Sequence, residues 1–230
     1  MKLSVIMPVY NEIGTIGEIL ARVRAAPIDC DMELVIVDDC STDGTRDFLR
    51  DHAARHLDVR LVLHDRNEGK GTAIRHGIEH VTGEVVIIQD ADLEYDPRDY
   101  PALLRPIVEG RADIVFGNRF HGGEHRVLYY RHFVANRLLT MICNVATDLN
   151  LSDMEVGYKV FRTSVLKQLR LRARRFDIEP ELVIKSAGLG VRIYEVPISY
   201  HGRTYAEGKK IGWRDAVAAL WRIFVFRVFG

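Results

Sequence analysis

Val85-Val86-Ile87-Ile88-Gln89-Asp90-Ala91-Asp92-Leu93-Glu94 is the stretch around which the chain is organised. Four apolar residues in succession predict a strand buried on both faces, as inside a parallel sheet. Three acids then follow at alternate positions. If the backbone stays extended, residues i, i+2 and i+4 share one side, so Asp90, Asp92 and Glu94 converge. Carboxylate oxygens gathered at the C-terminal end of a strand suit Mg²⁺ or Mn²⁺. That end of an open α/β sheet is also where ligands bind. The competing reading is an acidic turn that caps the next element.

Upstream, a strand-helix rhythm leads into this stretch. Leu3 to Val9 predicts a strand whose ladder Pro8 stops, and Asn11 offers an N-cap to a helix carrying Ile13, Ile16, Ile19, Leu20 and Val23 at helical spacing. Leu34 to Val37 predicts a second buried strand, ending in Asp38-Asp39. Ser41-Thr42-Asp43-Gly44-Thr45 then supplies a turn and cap. Val59 to Leu63 predicts a third strand, and Asn67-Glu68-Gly69-Lys70-Gly71-Thr72 a glycine-rich loop opening a helix to Val81. The alternation implies a doubly wound, mostly parallel sheet with right-handed crossovers, its acidic strand ends on one edge. Lys70 is placed to reach a diphosphate as a point charge, with a solvated lysine as the alternative. Neither the dinucleotide fingerprint nor the P-loop is present.

Composition narrows the function classes. The 32 basic and 32 acidic side chains cancel, so no overall field favours nucleic acid. The three cysteines (Cys30, Cys40 and Cys143) are scattered without metal-type spacing and fit a reducing cytosol. The N-terminus enters a strand directly, with no secretion signal, and no apolar run approaches the ~20 residues that span a bilayer.

Downstream, Ala112 to Phe116 predicts a strand from which Gly117-Asn118-Arg119 emerges, an arginine suited to a phosphate or a sugar hydroxyl. Arg126 to Asn144 predicts a helix mixing Arg126, Arg131 and Arg137 with Tyr129, Tyr130, Phe133, Leu138 and Met141, a composition suited to an interface. Asp153 and Glu155 add two acids beside Gly157. Asp177, Glu179 and Glu181 open a helix, where the dipole suffices to explain them. Val191 to Ser199 predicts a last strand, which Pro197 puts at an edge or an end. The stretch Tyr200 to Lys210 has the composition of a basic, mobile loop. From Trp213 a C-terminal amphipathic helix is expected, aromatic on one side and arginine-rich on the other.

Four motifs taken together, Pro8-Val9-Tyr10-Asn11-Glu12, Asp38-Asp39-Cys40-Ser41-Thr42-Asp43-Gly44-Thr45, Asn67-x-Gly69-Lys70-Gly71 and Asp90-Ala91-Asp92, resemble the family-2 inverting glycosyltransferases of GT-A fold, in order and spacing over about the first 120 residues. Phe116-Gly117-Asn118-Arg119, Tyr130-Arg131, Arg203 and Lys209 look like the dolichyl- or polyprenyl-phosphate sugar transferase branch. The resemblance implies one domain over 1–230, with a nucleotide-sugar half (1–120) and an acceptor half (121–230). It implies that Pro8, Tyr10, Glu12, Val37 and Asp39 hold the nucleoside of a GDP- or UDP-hexose. Lys70, Asp90, Ala91 and Asp92 would complete the donor site, with Asp90, Asp92 and Glu94 on Mg²⁺ or Mn²⁺. Arg119 would touch donor or acceptor, Arg131 the acceptor phosphate, and Arg203 and Lys209 the phosphates. The departures are Glu94, where relatives often carry Gln, Tyr130, where they commonly have Ser, and the absence of transmembrane helices. A processive synthase is disfavoured because Gln-x-x-Arg-Trp is missing.

The expected reaction is direct displacement at the anomeric carbon. A lipid monophosphate acceptor needs no base, since its second pKa near ~6 leaves it mostly dianionic. A hydroxyl acceptor does need one, for which Asp153 or Glu155 is the candidate. Other readings are a sugar-1-phosphate nucleotidyltransferase, for which the N-terminal glycine-rich phosphate loop is lacking, and a non-catalytic binding module. A cytoplasmic protein peripherally attached to the inner face of the membrane is expected, and assembly into a homo-oligomer is left open.

Overall fold

The computed structural model describes residues 1–120, 126–127, 129–203 and 225. Seven strands make one sheet: β1 (Lys2–Val9), β2 (Asp31–Asp38), β3 (Val59–Leu63), β4 (Val85–Ile88), β5 (Ile114–Asn118), β6 (Lys159–Arg162) and β7 (Ile193–Pro197), in the order β3-β2-β1-β4-β6-β5-β7. The helices are α1 (Ile16–Arg24), α2 (Thr45–Arg55), α3 (Lys70–His80), α4 (Tyr100–Val108), α5 (Tyr130–Thr147), the single turn α6 (Thr163–Leu166) and α7 (Ile178–Gly188). In the sheet's centre Leu3, Val5, Ile6 and Met7 of β1 and Val85 to Ile88 of β4 are at most 1% exposed, as the unbroken apolar runs require. Pairing is parallel except around β6, which runs antiparallel to both β4 and β5.

The sequence pattern misses β6. Four residues, Lys-Val-Phe-Arg, carry too little periodicity, and the Lys159 side chain is wholly buried where the pattern suggests an exposed cation. Pro8 does not end β1. The ladder to β4 stops at Ile6 while pairing with β2 runs on to Val9, so the missing N–H falls beyond β4's reach. Asn11 does not cap α1, which begins at Ile16; it adopts φ +51° and staples two strand exits together. Its side-chain oxygen accepts from Thr42 N–H (2.8 Å), and its own N–H donates to the Ser41 hydroxyl (2.9 Å). Pro197 does lie on the edge strand, β7. The expected C-terminal amphipathic helix and Lys209 fall on positions 204–224 and 226–230, outside the described residues.

From β1 the chain steps outward through β2 to β3, then returns to add β4 on β1's other side. Reversal of strand order opens a crevice at the C-terminal ends of β1, β2 and β4. The segments leaving those strands, residues 10–15, 39–44 and 89–94, all carry candidate site residues. Glycines set the distance between α3 and the chain before α7. A Cβ at Gly69 (φ +92°) would lie 2.4 Å from the Arg174 carbonyl oxygen, and one at Gly71 2.6 Å from that of Ala173. Thr72 N–H donates to the same Arg174 carbonyl (3.1 Å). Close backbone approach is therefore what these glycines permit. Gly71→Ala should cost about 2–3 kcal/mol in urea unfolding by forcing the two backbones apart. Gly14→Ala, with open space around its Cβ, should change stability by less than about 0.5 kcal/mol.

Candidate active site

The loop after β4 is pinned from beneath. The Gln89 side-chain oxygen accepts from the Tyr100 (2.8 Å) and Tyr158 (2.7 Å) hydroxyls, and its amide donates to the Asp90 carbonyl (2.9 Å). A Cβ at Gly157 would sit 2.6 Å from Asp90 Oδ2, so only glycine fits beside that carboxylate. Gly157 N–H in turn donates to the Tyr95 hydroxyl (2.8 Å). Thr15 joins this loop to the one after β1, its hydroxyl 2.9 Å from the Glu12 carboxylate and 3.0 Å from the Ala91 carbonyl.

Asp90 is half of a part-buried ion pair. Lys70 Nζ lies 2.7 Å from Asp90 Oδ1 and 2.9 Å from Glu179 Oε1, and Glu179 Oε2 pairs with the wholly buried Lys159. Burial alone would lower the Lys70 pKa, but Asp90 and Glu179 hold it above its ordinary value. Glu179 remains below the usual carboxylate range because Lys159 and Lys70 outweigh its burial. Lys70 is thus an internal cation and not a free hand for a diphosphate. Glu179, explained from sequence by the helix dipole alone, belongs to the site. No periodicity could have found it, because the contact joins residues 109 positions apart.

The three alternate acids do not meet at one point. β4 ends at Ile88 and the chain bends through 91–94, so the extended geometry they need is lost. Asp92 Oδ2 receives Arg203 Nη2 (2.6 Å). Glu94 is turned to the following segment: its Oε1 accepts from Arg203 N–H (3.0 Å) and Nε (3.3 Å), and its Oε2 lies 3.1 Å from the Tyr200 hydroxyl. Glu94 clamps residues 200–203, and among the described residues no group of three His, Cys, Asp or Glu forms a ready cage for a metal. Burial, then the Asp90 and Glu94 charges, pushes the Asp92 carboxyl up to about 7 against the pull of Arg203. Hard oxygens with surplus negative charge fit Mg²⁺ or Mn²⁺ held by one or two carboxylates and completed by substrate phosphates.

On the nucleoside side, Asp39 accepts from Glu68 N–H (2.8 Å) and Gly69 N–H (2.7 Å) and faces His64 Nδ1 at 2.7 Å. Asp38 is wholly buried against Arg46 Nε (2.6 Å). Val37 is wholly buried in β2, whereas Tyr10 is 40% exposed and Pro8 is half-buried. Glu12 Oε2 lies 3.8 Å from Arg203 Nη1.

Toward α5, Arg119 grips Asp153 through Nε and Nη2, both at 2.6 Å, and lies over the Tyr200 ring (5.0 Å). Asn136 donates to the same carboxylate at 2.9 Å. Burial would raise the Asp153 pKa, but Arg119 holds it below its ordinary range, and with both oxygens already engaged by Arg119 and Asn136 the carboxylate is poorly placed to act as a general base. Glu155 is the opposite case. Its Oε1 is covered and has no hydrogen-bond partner among the described residues, and burial, followed by the Glu179 charge, pushes it up to about 7. Arg131 is exposed on the first turn of α5, over the Tyr129 ring at 5.5 Å. Tyr130, Val134, Leu138, Met141 and Val145 of that helix are 45–83% exposed, at spacings of four, four, three and four, and so form one outward stripe. Arg131 and Arg137 flank it.

A carboxyl with a raised folded pKa is bound to its proton more tightly folded than unfolded. Stability is therefore lost as pH rises from its unfolded value toward about 7. Glu155→Gln should leave Tm unchanged at pH 4 and raise it at pH 8, by an equivalent of about 1–3 kcal/mol. Thermal scans across that range check the sign.

The sequence of residues 4–170 matches the model of glycosyl transferase family 2. The low-salt glycan biosynthesis hexosyltransferase Agl6 of Haloferax volcanii is 31% identical over 222 residues, 92% of this chain and 51% of the relative. The undecaprenyl-phosphate mannosyltransferase of Micrococcus luteus is 30% identical over 224 residues, covering 92% and 88%. The chain thus spans from about half to nearly nine-tenths of the curated relatives' lengths. Glucosyl-3-phosphoglycerate synthase from Mycobacterium tuberculosis, solved with Mn²⁺, UDP and phosphoglyceric acid, superposes with a TM-score of 0.73 at 18% identity, over 98% of this chain and 76% of that one. The doubly wound, mostly parallel GT-A sheet expected from the motifs is the architecture found. With the match covering most of its length, the chain belongs to glycosyl transferase family 2.

Proposed function

We infer that this chain transfers a hexose from a GDP- or UDP-sugar to a polyprenyl or dolichyl monophosphate, with inversion and with Mg²⁺ or Mn²⁺. Residues 1–120 form the donor half and 121–230 the acceptor half of one domain. The observation that carries the acceptor assignment is the exposed apolar stripe of α5 with Arg131 and Arg137 beside it. Of the two acids that could serve a hydroxyl acceptor, Asp153 is held below its ordinary range by Arg119 and takes a proton poorly. A phosphate dianion needs no such help. The outward apolar stripe of α5, flanked by arginines, suits a lipid chain at a membrane face. The Micrococcus luteus relative, by its name, uses a polyprenyl phosphate. Among the described residues no helix is long and apolar enough to cross a bilayer, and the proposal places the protein peripherally at the cytoplasmic face.

Asp92 and Asp90 would hold the metal, which when bound supplies positive charge to the departing diphosphate. Pro8, Tyr10, Glu12, Val37, Asp39 and Ala91 form the nucleoside side of the pocket. Lys70, 2.7 Å from Asp90, keeps that carboxylate in place. Arg203 lies at 2.6 Å from Asp92 and is the cation that balances this cluster; it exchanges to the phosphates as they enter, joined by Lys209. Arg131 receives the acceptor phosphate, and Arg119 shapes the wall between the two substrates. A second reading has a hydroxyl acceptor with Glu155 as base, favoured by that residue's unpartnered oxygen and a pKa of about 7.

Nucleotide sugars offered with a short polyprenyl phosphate and with a neutral alcohol, with and without EDTA, separate these readings. Transfer to the phosphate, abolished by EDTA, is expected; transfer to the alcohol alone would overturn the lipid assignment. Arg131→Ala should raise KM for the lipid phosphate about tenfold or more while nucleotide affinity holds, as expected for one charge-assisted contact. Asp92→Asn should lower kcat by roughly 10²–10³.

A further inference from the structure

The run Arg170-Leu171-Arg172-Ala173-Arg174-Arg175 has no role in the site described above, yet it is built with care. Its backbone is tied down at every step. Arg172 N–H and Ala173 N–H donate to the wholly buried Glu181 carboxylate at 2.8 and 2.7 Å. The Arg170 carbonyl accepts from Lys185 Nζ, and Arg174's from Thr72 N–H at 3.1 Å. Arg175 N–H donates to Asp177 Oδ1 at 2.9 Å. The four arginine side chains are exposed, and among the described residues none of their guanidiniums makes an ion pair.

The location matters as much as the charge. Carbonyls of Ala173 and Arg174 press against Gly71 and Gly69, and Gly69 N–H is a ligand of Asp39. Arg174 and Arg175 therefore touch the loop that organises Asp39 and, through Lys70, Asp90, and Arg172 lies one residue before that contact. Inside that rim the acids Glu12, Asp39, Asp90, Asp92 and Glu94 outnumber the cations among them, Lys70 and Arg203. The acidic groups facing the segment from outside are Asp177 on the segment's own end and Glu68, which Arg66 Nε approaches at 3.4 Å. A chain of zero net charge has no whole-molecule field to draw in an anion, so attraction must be local.

We propose that Arg172, Arg174 and Arg175 form a cationic collar at the mouth of the donor pocket that captures the nucleoside diphosphate before it meets the acidic floor. The inference rests on the donor reading above and names residues outside the nucleoside and metal positions. The collar acts over distances comparable to the ~10 Å Debye length at 0.1 M salt, so its effect is screened as salt rises.

The test is titration of GDP and of UDP, each with Mn²⁺, into the full chain at low and high salt, with association rates from stopped-flow. R174Q/R175Q should slow association roughly three- to tenfold at low salt and converge on the unaltered chain at high salt. Its kcat should be unchanged. R60Q/R105Q removes equal charge from exposed positions on β3 and α4 and should have no such effect. Equal association by R174Q/R175Q and the unaltered chain would overturn the collar alone. Absence of binding of either nucleotide to the unaltered chain would bring down the donor reading itself, and the collar with it. Loss of binding to phosphatidylglycerol vesicles by R174Q/R175Q with nucleotide association intact would assign the run to a membrane and overturn the proposal.

Discussion

The ammonium of Lys70, set between Asp90 and Glu179 at 2.7 and 2.9 Å, is the interaction on which the site depends. It joins three elements remote in the chain: the first residue of α3, the exit of β4 and the first turn of α7. Lys159 extends the row from β6, so positive and negative charges alternate through the interior. Such a row is weak evidence of net stability, since desolvation offsets much of the attraction. Removing one member, however, strands a buried charge at a cost of about 3–5 kcal/mol. Its value lies in placement: the Asp90 carboxylate is fixed 2.7 Å from the Lys70 ammonium before any ligand arrives.

That row separates the acids by task. Glu179 and Asp153 each face cations that hold them below the usual carboxylate range, while Asp92 and Glu155 are pushed up to about 7 by burial and like charge. Glu179 and Asp153 are structural ballast beneath the acids of the β4 exit. Asp92 sits at the point of surplus negative charge, where Arg203 stands as counter-ion in this structure. On the reading proposed above, Arg203 would give up this place to another cation as an anionic substrate enters.

Much of this architecture is legible along the chain. The buried runs of β1, β2 and β4 declare a parallel sheet, and acids at strand exits mark the ligand edge, because period and strand end are local properties. What escapes is non-local. β6 is four residues long and takes its place only between β4 and β5. The glycines of the 69–71 loop read only as a turn opening a helix, yet they admit the backbone of residues 173 and 174. The convergence of Asp90, Asp92 and Glu94 fails because extended geometry ends at Ile88.

By itself the sequence determined the strand-helix alternation from β1 to β4, the acidic rim and the family motifs, since hydrophobic period and turn chemistry are written into neighbouring residues. Tertiary structure alone decided which carboxylate each cation meets. Lys70 could have pointed to solvent or to a phosphate; burial beside Glu179, 109 residues away, made it the keeper of Asp90. Asp153 could have been a base until Arg119 closed on it. Charge partners are set by distance in space, which no spacing along a chain records.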